Sequence, residues 1–318
     1  MQINNYNPSF CGYKTDFSKK LNRYLSQETR DKGKEKTIVE CLSKIMPEKI
    51  TDKNIKGSGW HGIVYGIDDD YVVKVGRRAT PKIGKFVIPK EKPIKDLKTY
   101  YGNIIARIGN MTIMKNAFKT KNVLPAGLPG RWMSRGEKLA YYNNVYLRHF
   151  VSLPQGAYDK IAQDFKTLNT LGKQFDTINP NNFTADGKTI KIVDEITPAK
   201  EKNPNTLSKL FKVFVNSYDA NTTAEFDYLA IPRRKELIKK LILASEKYEL
   251  PLYTDINDRR ELNLAMRLCD YGHDFTPIER TLSEYRRKYP DIETRLQKIS
   301  EYIDSINKED MTTISFYA

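Results

Sequence analysis

The chain has 318 residues, of which 39% are hydrophobic and 29% are charged, and this composition excludes a disordered or fibrous protein. No apolar run approaches the roughly 20 residues of a membrane-spanning helix, and the three cysteines and three histidines are too scattered to predict a disulfide framework or a His/Cys metal site. The net charge of +15 is concentrated in residues 51–150, where nineteen Lys/Arg accompany seven Asp/Glu.

The first fifty residues predict a polar tail followed by helix. Helical spacing extends over residues 17–45 and is interrupted by the highly charged segment 28–36. Within the second half, Ile38 and Leu42 are spaced to share one apolar face, which predicts packing against the rest of the protein. We therefore assign residues 1–50 to an N-terminal tail and helical extension.

From Ile55 onward the apolar period becomes strand-like. Apolar runs at residues 63–67 and 71–75 flank an Asp-Asp-Asp turn, which predicts a β-hairpin. The pattern then predicts a helix over residues 94–108 and strands around residues 123–128 and 145–147. Residues 51–150 are thus expected to form a small β-rich unit.

The remainder of the chain, residues 151–318, is mostly helical in its spacing. Ile161, Phe165 and Leu168 predict a helix that ends at Gly172. Asp186-Gly187 lies between two apolar runs, which is a strong signal for a hairpin because both residues tolerate positive φ. Further helices are predicted at about residues 207–218, 233–248, 259–270, 277–288 and 292–306. The fold class predicted for the whole chain is α+β.

A glycine-rich segment followed by a strand lysine is the first candidate for chemistry. Gly57 to Val64 has the form G-x-G-x-x-G-x-V, and Lys74 follows in Val-Val-Lys on the next predicted strand. Glycines let backbone N–H groups approach phosphates, and a lysine supplies positive charge to them. The alternative is a plain hairpin with a flexible turn and a solvated lysine.

Together with two downstream segments, this pattern resembles the protein-kinase superfamily. Residues 171–183 are similar to the kinase catalytic loop, and Ile192-Val193-Asp194 is similar to the start of the D-F-G motif. The resemblance covers residues 55–196. The shape is similar to that of compact bacterial kinases, including type III effector-like ones, and of the aminoglycoside-kinase branch. It implies a two-lobed kinase-like fold, with a β-rich N-lobe over residues 51–150 and a helical C-lobe over residues 151–318.

The resemblance also implies ATP and Mg²⁺ as cofactors, with Asp194 as a metal ligand. Two registers of the catalytic loop remain open. The gapless register places Thr177 at the catalytic-base position and Asn182 at the second metal position, whereas the family's Asp-to-Asn interval places Asp176 and Asn181 there. A carboxylate can accept a hydroxyl proton at neutral pH, whereas a threonine hydroxyl cannot, so Asp176 is the candidate base.

The other residues that the resemblance assigns to nucleotide binding lie in the predicted N-lobe. They are Gly57, Ser58, Gly59, Gly62, Val64, Lys74 and Leu147. The chain departs from the family where the lysine needs a glutamate partner, because Glu91 and Asp96 are the only acids between Lys74 and Glu137. Asp194 is followed by Glu-Ile rather than Phe-Gly.

The expected activity is therefore ATP-dependent phosphotransfer, of the Ser/Thr protein-kinase type, to a protein hydroxyl. The alternative is a pseudokinase that acts as a nucleotide-binding or interaction scaffold. Nucleic-acid binding is disfavoured because no stacking-aromatic module accompanies the basic residues. The expected location is the cytoplasm, or a host cell reached without a signal peptide.

A basic segment at residues 77–98 is the candidate contact for an acidic partner. It carries eight Lys/Arg in addition to the preceding Lys74, against only Glu91 and Asp96. A loop with so many like charges repels itself unless something acidic lies nearby. The two interpretations are a solvated loop and a docking surface for an acidic protein or an anionic membrane.

Overall fold

The computed structural model is a mixed α+β protein with two compact units. It describes residues 16–27, 31–59, 62–90, 94, 96–117, 150–175, 182–185, 187–215, 230–267 and 275–314. The first unit contains residues 1–94 and 101–121, and the second contains residues 95–100 and 122–318.

The first unit combines two helices with a six-stranded antiparallel sheet. Its helices are α1 (Asp16–Leu25) and α2 (Lys32–Lys49). Its strands are β1 (Ile55–Gly59), β2 (Gly62–Gly66), β3 (Tyr71–Val75), β4 (Phe86–Val87), β5 (Ile104–Ile108) and β6 (Met111–Lys115). The order across the sheet is β1-β2-β3-β6-β5-β4.

Helices α1 and α2 contribute to the apolar core of the first unit. Their buried side chains cluster with alternate residues of β3, which all point to one face of the sheet. The Phe17 ring packs edge-on against Tyr71 at 6.2 Å, and the Tyr24 ring packs against Phe86 at 5.4 Å. The prediction that the helical extension packs against the body of the protein is confirmed.

The acidic turn between β2 and β3 is stabilised by a buried network. Asp68 Oδ1 accepts hydrogen bonds from the backbone N–H groups of Asp70 (2.8 Å) and Tyr71 (2.9 Å), and its second carboxylate oxygen accepts one from the Ser18 hydroxyl of α1. The Asn116 amide donates to the Asp68 carbonyl at 2.7 Å. Because these partners come from distant parts of the chain, the turn also connects α1 with the residue that follows β6.

The predicted helix over residues 94–108 is wrong, because the described residues 94 and 96–103 form no helix and the rest form a strand. Residues 104–108 form β5, which pairs with β6 across a turn at Gly109 and Asn110. Gly109 has φ +61°, and a Cβ there would lie 2.0 Å from the Lys82 carbonyl oxygen, so only glycine fits. The short run Ile-Ile-Ala-Arg-Ile is compatible with both the helical and the strand period, and pairing with β6 stabilises it as a strand.

The second unit is mainly helical, with two small antiparallel sheets. Its helices are α3 (Gln155–Thr170), α4 (Leu207–Val215), α5 (Ala230–Tyr248), α6 (Ile256–Arg267), α7 (Thr276–Lys288) and α8 (Ile292–Ile314). Its strands are β7 (Lys173–Phe175), β8 (Phe183–Ala185), β9 (Ile190–Ile192) and β10 (Ile196–Pro198). Strand β7 pairs with β10, and β8 pairs with β9.

The local predictions for the second unit are confirmed. Helix α3 ends before Gly172, whose φ of +61° is the left-handed conformation that glycine adopts at helix ends. The predicted hairpin around Gly187 is formed by β8 and β9. Each helix predicted after Pro198 is present, with ends that differ by up to eight residues.

Candidate functional site

The glycine-rich segment forms the β1–β2 hairpin of the first unit. Gly57 pairs with Val64 and Gly59 pairs with Gly62, while residues 60–61 lie outside the described part of the chain. A Cβ atom on Gly62 would lie 2.5 Å from the Val75 carbonyl oxygen, which is shorter than any real contact of this kind. Packing of β2 against β3 therefore requires this glycine, whatever the hairpin binds.

Lys74 lies on the face of the sheet opposite helices α1 and α2. It pairs with Val64 on β2 and with Thr112 on β6, and Thr112 pairs in turn with Arg107 on β5. Directly paired residues of antiparallel strands project to the same face, so these four residues form one row across the sheet. The core residues that contact the helices alternate with this row and occupy the other face.

Apolar side chains accompany Lys74 on this face. Val72, two residues before Lys74, pairs with Met114, and the two side chains are 4% and 5% exposed. Val64 and Lys74 are partly buried. The face therefore combines apolar area with a cation, which is the combination that a nucleotide base and its phosphates require.

Asn182 and Asp194 lie at the same end of the β8–β9 hairpin in the second unit. Phe183 pairs with Ile192, and the Val193 N–H donates to the Asn182 carbonyl at 2.9 Å. This register places Asn182 and Asp194 at the same end of the hairpin. Asn182 is buried, with 6% of its surface exposed, and Asp194 is partly buried.

The segment 98–100 borders Asp194. Tyr100 forms a parallel bridge with Ile192, and the Ile192 N–H donates to the Thr99 carbonyl at 2.8 Å. Burial raises the pKa of Tyr100 to about 12, and the neighbouring carboxylates of Glu195 and Asp194 add to the rise, opposed by a hydrogen bond with the Ile196 backbone. The Tyr100 phenol therefore stays protonated at neutral pH.

A buried carboxylate on α3 fixes this segment in place. Asp164 accepts hydrogen bonds from the Lys98 N–H (2.9 Å), the Thr99 N–H (2.7 Å) and the Thr99 hydroxyl (2.5 Å). Burial raises the pKa of Asp164, against the opposing effect of these hydrogen bonds. Sequence reasoning missed this contact because no local signal links a threonine in a lysine-rich segment to a helix 65 residues later.

The donor atoms at the hairpin end fit a hard cation. Asp194 offers a carboxylate and Asn182 an amide oxygen, and magnesium is commonly held by one or two carboxylates together with phosphate oxygens and water. Within the described ranges, no group of three or more His, Cys, Asp or Glu residues is placed to hold a metal ion. Magnesium would therefore need ligands from a phosphate group or from water.

Several predicted site residues lie outside the described part of the chain. They are Asp176, Thr177, Asn181, Leu147 and Glu91. The choice between the two catalytic-loop registers therefore stays a prediction. For Ser58 and Gly59 the structure gives the strand but not the side-chain surroundings, and Asp96 is exposed with φ +73°.

A cleft of about 420 Å³ occurs in the helical unit. It is lined by Glu246, Glu249, Leu250, Pro251, Leu252, Arg286 and Arg295. The Glu246 carboxylate is 3% exposed and lies 2.7 Å from Arg286 Nη2 and 3.0 Å from Arg295 Nε. Because these charges are largely engaged with one another, the cluster connects helices α5, α7 and α8 rather than offering an open binding group.

Comparison of the chain with protein-family models, with curated proteins and with solved structures gives no significant match. None of the helices in the described ranges is long and apolar enough to cross a membrane.

Proposed function

We propose that this protein binds ATP with magnesium and transfers the γ-phosphoryl group to a hydroxyl, in a two-lobed kinase-like fold. The observation that carries the proposal is the placement of Lys74. It lies on the sheet face opposite the helices, paired with Val64 of the glycine-rich hairpin. The location of Asn182 and Asp194 at the same end of the β8–β9 hairpin supports it independently.

Each group has one role in this proposal. Backbone N–H groups of the glycine-rich hairpin and the Lys74 ammonium contact the phosphates, and Val64 contributes apolar surface for the base. Asp194 and Asn182 hold magnesium, which neutralises the charge on the phosphates when it is bound. The acceptor hydroxyl attacks the γ-phosphorus as ADP leaves, and the Asp176 carboxylate takes the hydroxyl proton.

The first experiment measures nucleotide binding by thermal unfolding. A ligand at a hundredfold excess over its Kd adds about 2.7 kcal/mol to the free energy of unfolding. We expect ATP with magnesium to raise the Tm of the wild type, and Lys74→Ala and Asp194→Ala each to reduce that rise. Lys115→Ala on β6 and Glu195→Ala are the matched controls, because both side chains are exposed.

The outcome that refutes nucleotide binding is an unchanged Tm of the folded wild type at millimolar ATP. The proposal also requires Lys74→Ala and Asp194→Ala each to lose part of this stabilisation. A loss confined to Lys74→Ala would restrict binding to the first unit.

The second experiment separates catalysis from binding. Asp176→Asn should abolish phosphorylation from labelled ATP and leave the ATP-dependent rise in Tm intact, whereas Thr177→Ala should change neither. Full activity of Asp176→Asn would refute the assigned base.

A pseudokinase scaffold is the second candidate, and one observation favours it. In kinases a helix after the lysine strand supplies a glutamate that fixes the lysine, but residues 76–90, 94 and 96–103, which the structure describes between β3 and β5, form no helix. ATP-dependent stabilisation without any phosphorylation in the wild type would select this alternative.

A further inference from the structure

A basic surface runs along the edge of the first unit. Residues 76–90 contain five Lys/Arg and no Asp/Glu. These side chains, together with Arg107 on β5, are exposed and are called the basic loop surface below: Arg77, Arg78, Lys82, Lys85, Lys90 and Arg107. None of them forms an ion pair with any carboxylate that the structure describes.

Hydrogen bonds hold the middle of this surface in one arrangement. The Lys82 N–H donates to Asn110 Oδ1 at 2.8 Å, and the Asn110 amide donates to the Thr80 carbonyl at 2.9 Å. The Gly109 N–H donates to the Lys85 carbonyl at 3.2 Å. The like charges are therefore held together by the turn between β5 and β6, so little further ordering is needed when a ligand binds.

Two aliphatic side chains are exposed among these cations. Ile83 is 38% exposed and Val87 is 44% exposed. Val87 lies on the edge strand β4 and pairs with Arg107, so the two side chains share a face. Along residues 82, 83, 85 and 87, two lysines therefore alternate with two exposed β-branched residues.

We infer that the basic loop surface binds the surface of an anionic phospholipid bilayer. Clusters of four to eight basic residues are attracted to anionic headgroups, and adjacent aliphatic side chains insert at the headgroup boundary. A protein partner would instead be expected to meet a mixture of charges and a shaped apolar patch. The uniform positive charge and the separate, half-exposed Ile83 and Val87 favour a bilayer.

The test is co-sedimentation of the full chain with vesicles of phosphatidylcholine alone or with about 30 mol% phosphatidylserine. We expect binding only to the anionic vesicles at about 0.1 M salt, and its loss at about 1 M salt, where the Debye length shrinks to about 3 Å. The variant Arg78→Gln/Lys82→Gln/Lys85→Gln/Arg107→Gln should bind at least about tenfold more weakly. Ile83→Ser/Val87→Ser should weaken binding and keep its salt dependence.

The matched control removes the same charge from exposed positions of the second unit. It is Lys200→Gln/Lys202→Gln/Arg260→Gln/Arg280→Gln. This control should retain wild-type binding to the anionic vesicles. An equal loss of binding in the control would show that only net charge matters and would overturn the proposal. An unchanged Tm shows that each variant is folded.

Two further outcomes decide the nature of the partner. Absence of binding to anionic vesicles, or capture of a Glu-rich peptide in preference to them, would overturn the inference. Asp194→Ala, which changes a residue of the second unit, should bind vesicles like the wild type. Failure of nucleotide binding would therefore leave this result unaffected.

Discussion

Gly62 illustrates how one residue can satisfy a motif for a reason that is independent of a ligand. It is the third glycine of G-x-G-x-x-G, yet the neighbouring strand already excludes any side chain at this position. The glycine therefore carries less weight for phosphate binding than its place in the motif suggests. Lys74 carries more, because it pairs with Val64 of the glycine-rich hairpin on the sheet face opposite α1 and α2.

Replacing Gly62 with alanine should destabilise the protein by about 1–3 kcal/mol, the usual cost of overpacking. The new methyl group would lie 2.5 Å from the Val75 carbonyl oxygen, and backbone cannot yield as a flexible side chain can. Urea unfolding followed by circular dichroism measures the loss.

Gly156→Ala is the control for this prediction. A Cβ at position 156 meets nothing within 4 Å, and the residue lies in helix α3, where alanine is the better helix former. Its free energy of unfolding should be unchanged or slightly raised. Equal stability of Gly62→Ala and the wild type would show that the strands can separate at little cost.

Among the helices, Glu246 is the point at which three elements are joined. Its buried carboxylate on α5 receives Arg286 of α7 in a two-pronged contact and Arg295 of α8. A buried carboxylate is costly to desolvate, and the two guanidinium groups offset that cost. The ends of α7 and α8 depend on this cluster as well as on apolar packing.

Glu246→Gln should lower the free energy of unfolding by about 3 kcal/mol, because it leaves Arg295, whose side chain is 13% exposed, without its counter-charge. Chemical denaturation at neutral pH tests this. Glu301→Gln, which removes an exposed partner of Lys298 on α8, should have no measurable effect. A similar loss in both variants would contradict a special role for Glu246.

For the whole molecule, the notable feature is that the chain passes from the first unit to the second and back within a few residues. The chain leaves the first unit after Ile94, contributes residues 95–100 to the second unit and returns at Tyr101. Asp164 holds residues 98–99 in the second unit, since it accepts three hydrogen bonds from Lys98 and Thr99. The second unit therefore includes a segment that lies inside the first in sequence.

Asp164→Asn should cost about 1–3 kcal/mol at neutral pH, because an amide cannot accept all three hydrogen bonds and leaves a buried N–H without an acceptor. The pKa of Asp164 is raised above its unfolded value of about 3.9. The folded state then binds this proton more tightly than the unfolded state, and the contribution of Asp164 to stability falls as pH rises between the two pKa values.

The advantage of the wild type over Asp164→Asn should therefore shrink as pH is raised from about 4 towards neutrality. Urea titrations of both proteins across this range measure the difference. A stability advantage of the wild type that grows with pH would contradict this. It would show that the hydrogen bonds, rather than burial, dominate the pKa of Asp164.

Sequence alone predicted the features that depend on neighbouring residues. The helices of the second unit follow from apolar spacing, the end of α3 follows from Gly172, and the β8–β9 hairpin follows from Asp-Gly between apolar runs. These signals are short-range, because a helix or a tight turn is stabilised by contacts within a few residues. Spacing along the chain also predicts the candidate site residues.

The tertiary structure alone decided which distant segments pair. It turned residues 104–108 into a strand, placed Arg107 in the row with Lys74, and joined Thr99 to Asp164. A short apolar run has no preferred period of its own, and a polar side chain does not reveal its partner in the sequence. Pairing across the sheet determines the conformation of such a run, and burial of hydrogen-bonding groups determines the partner of such a side chain. Both conditions are met only when the whole unit is folded.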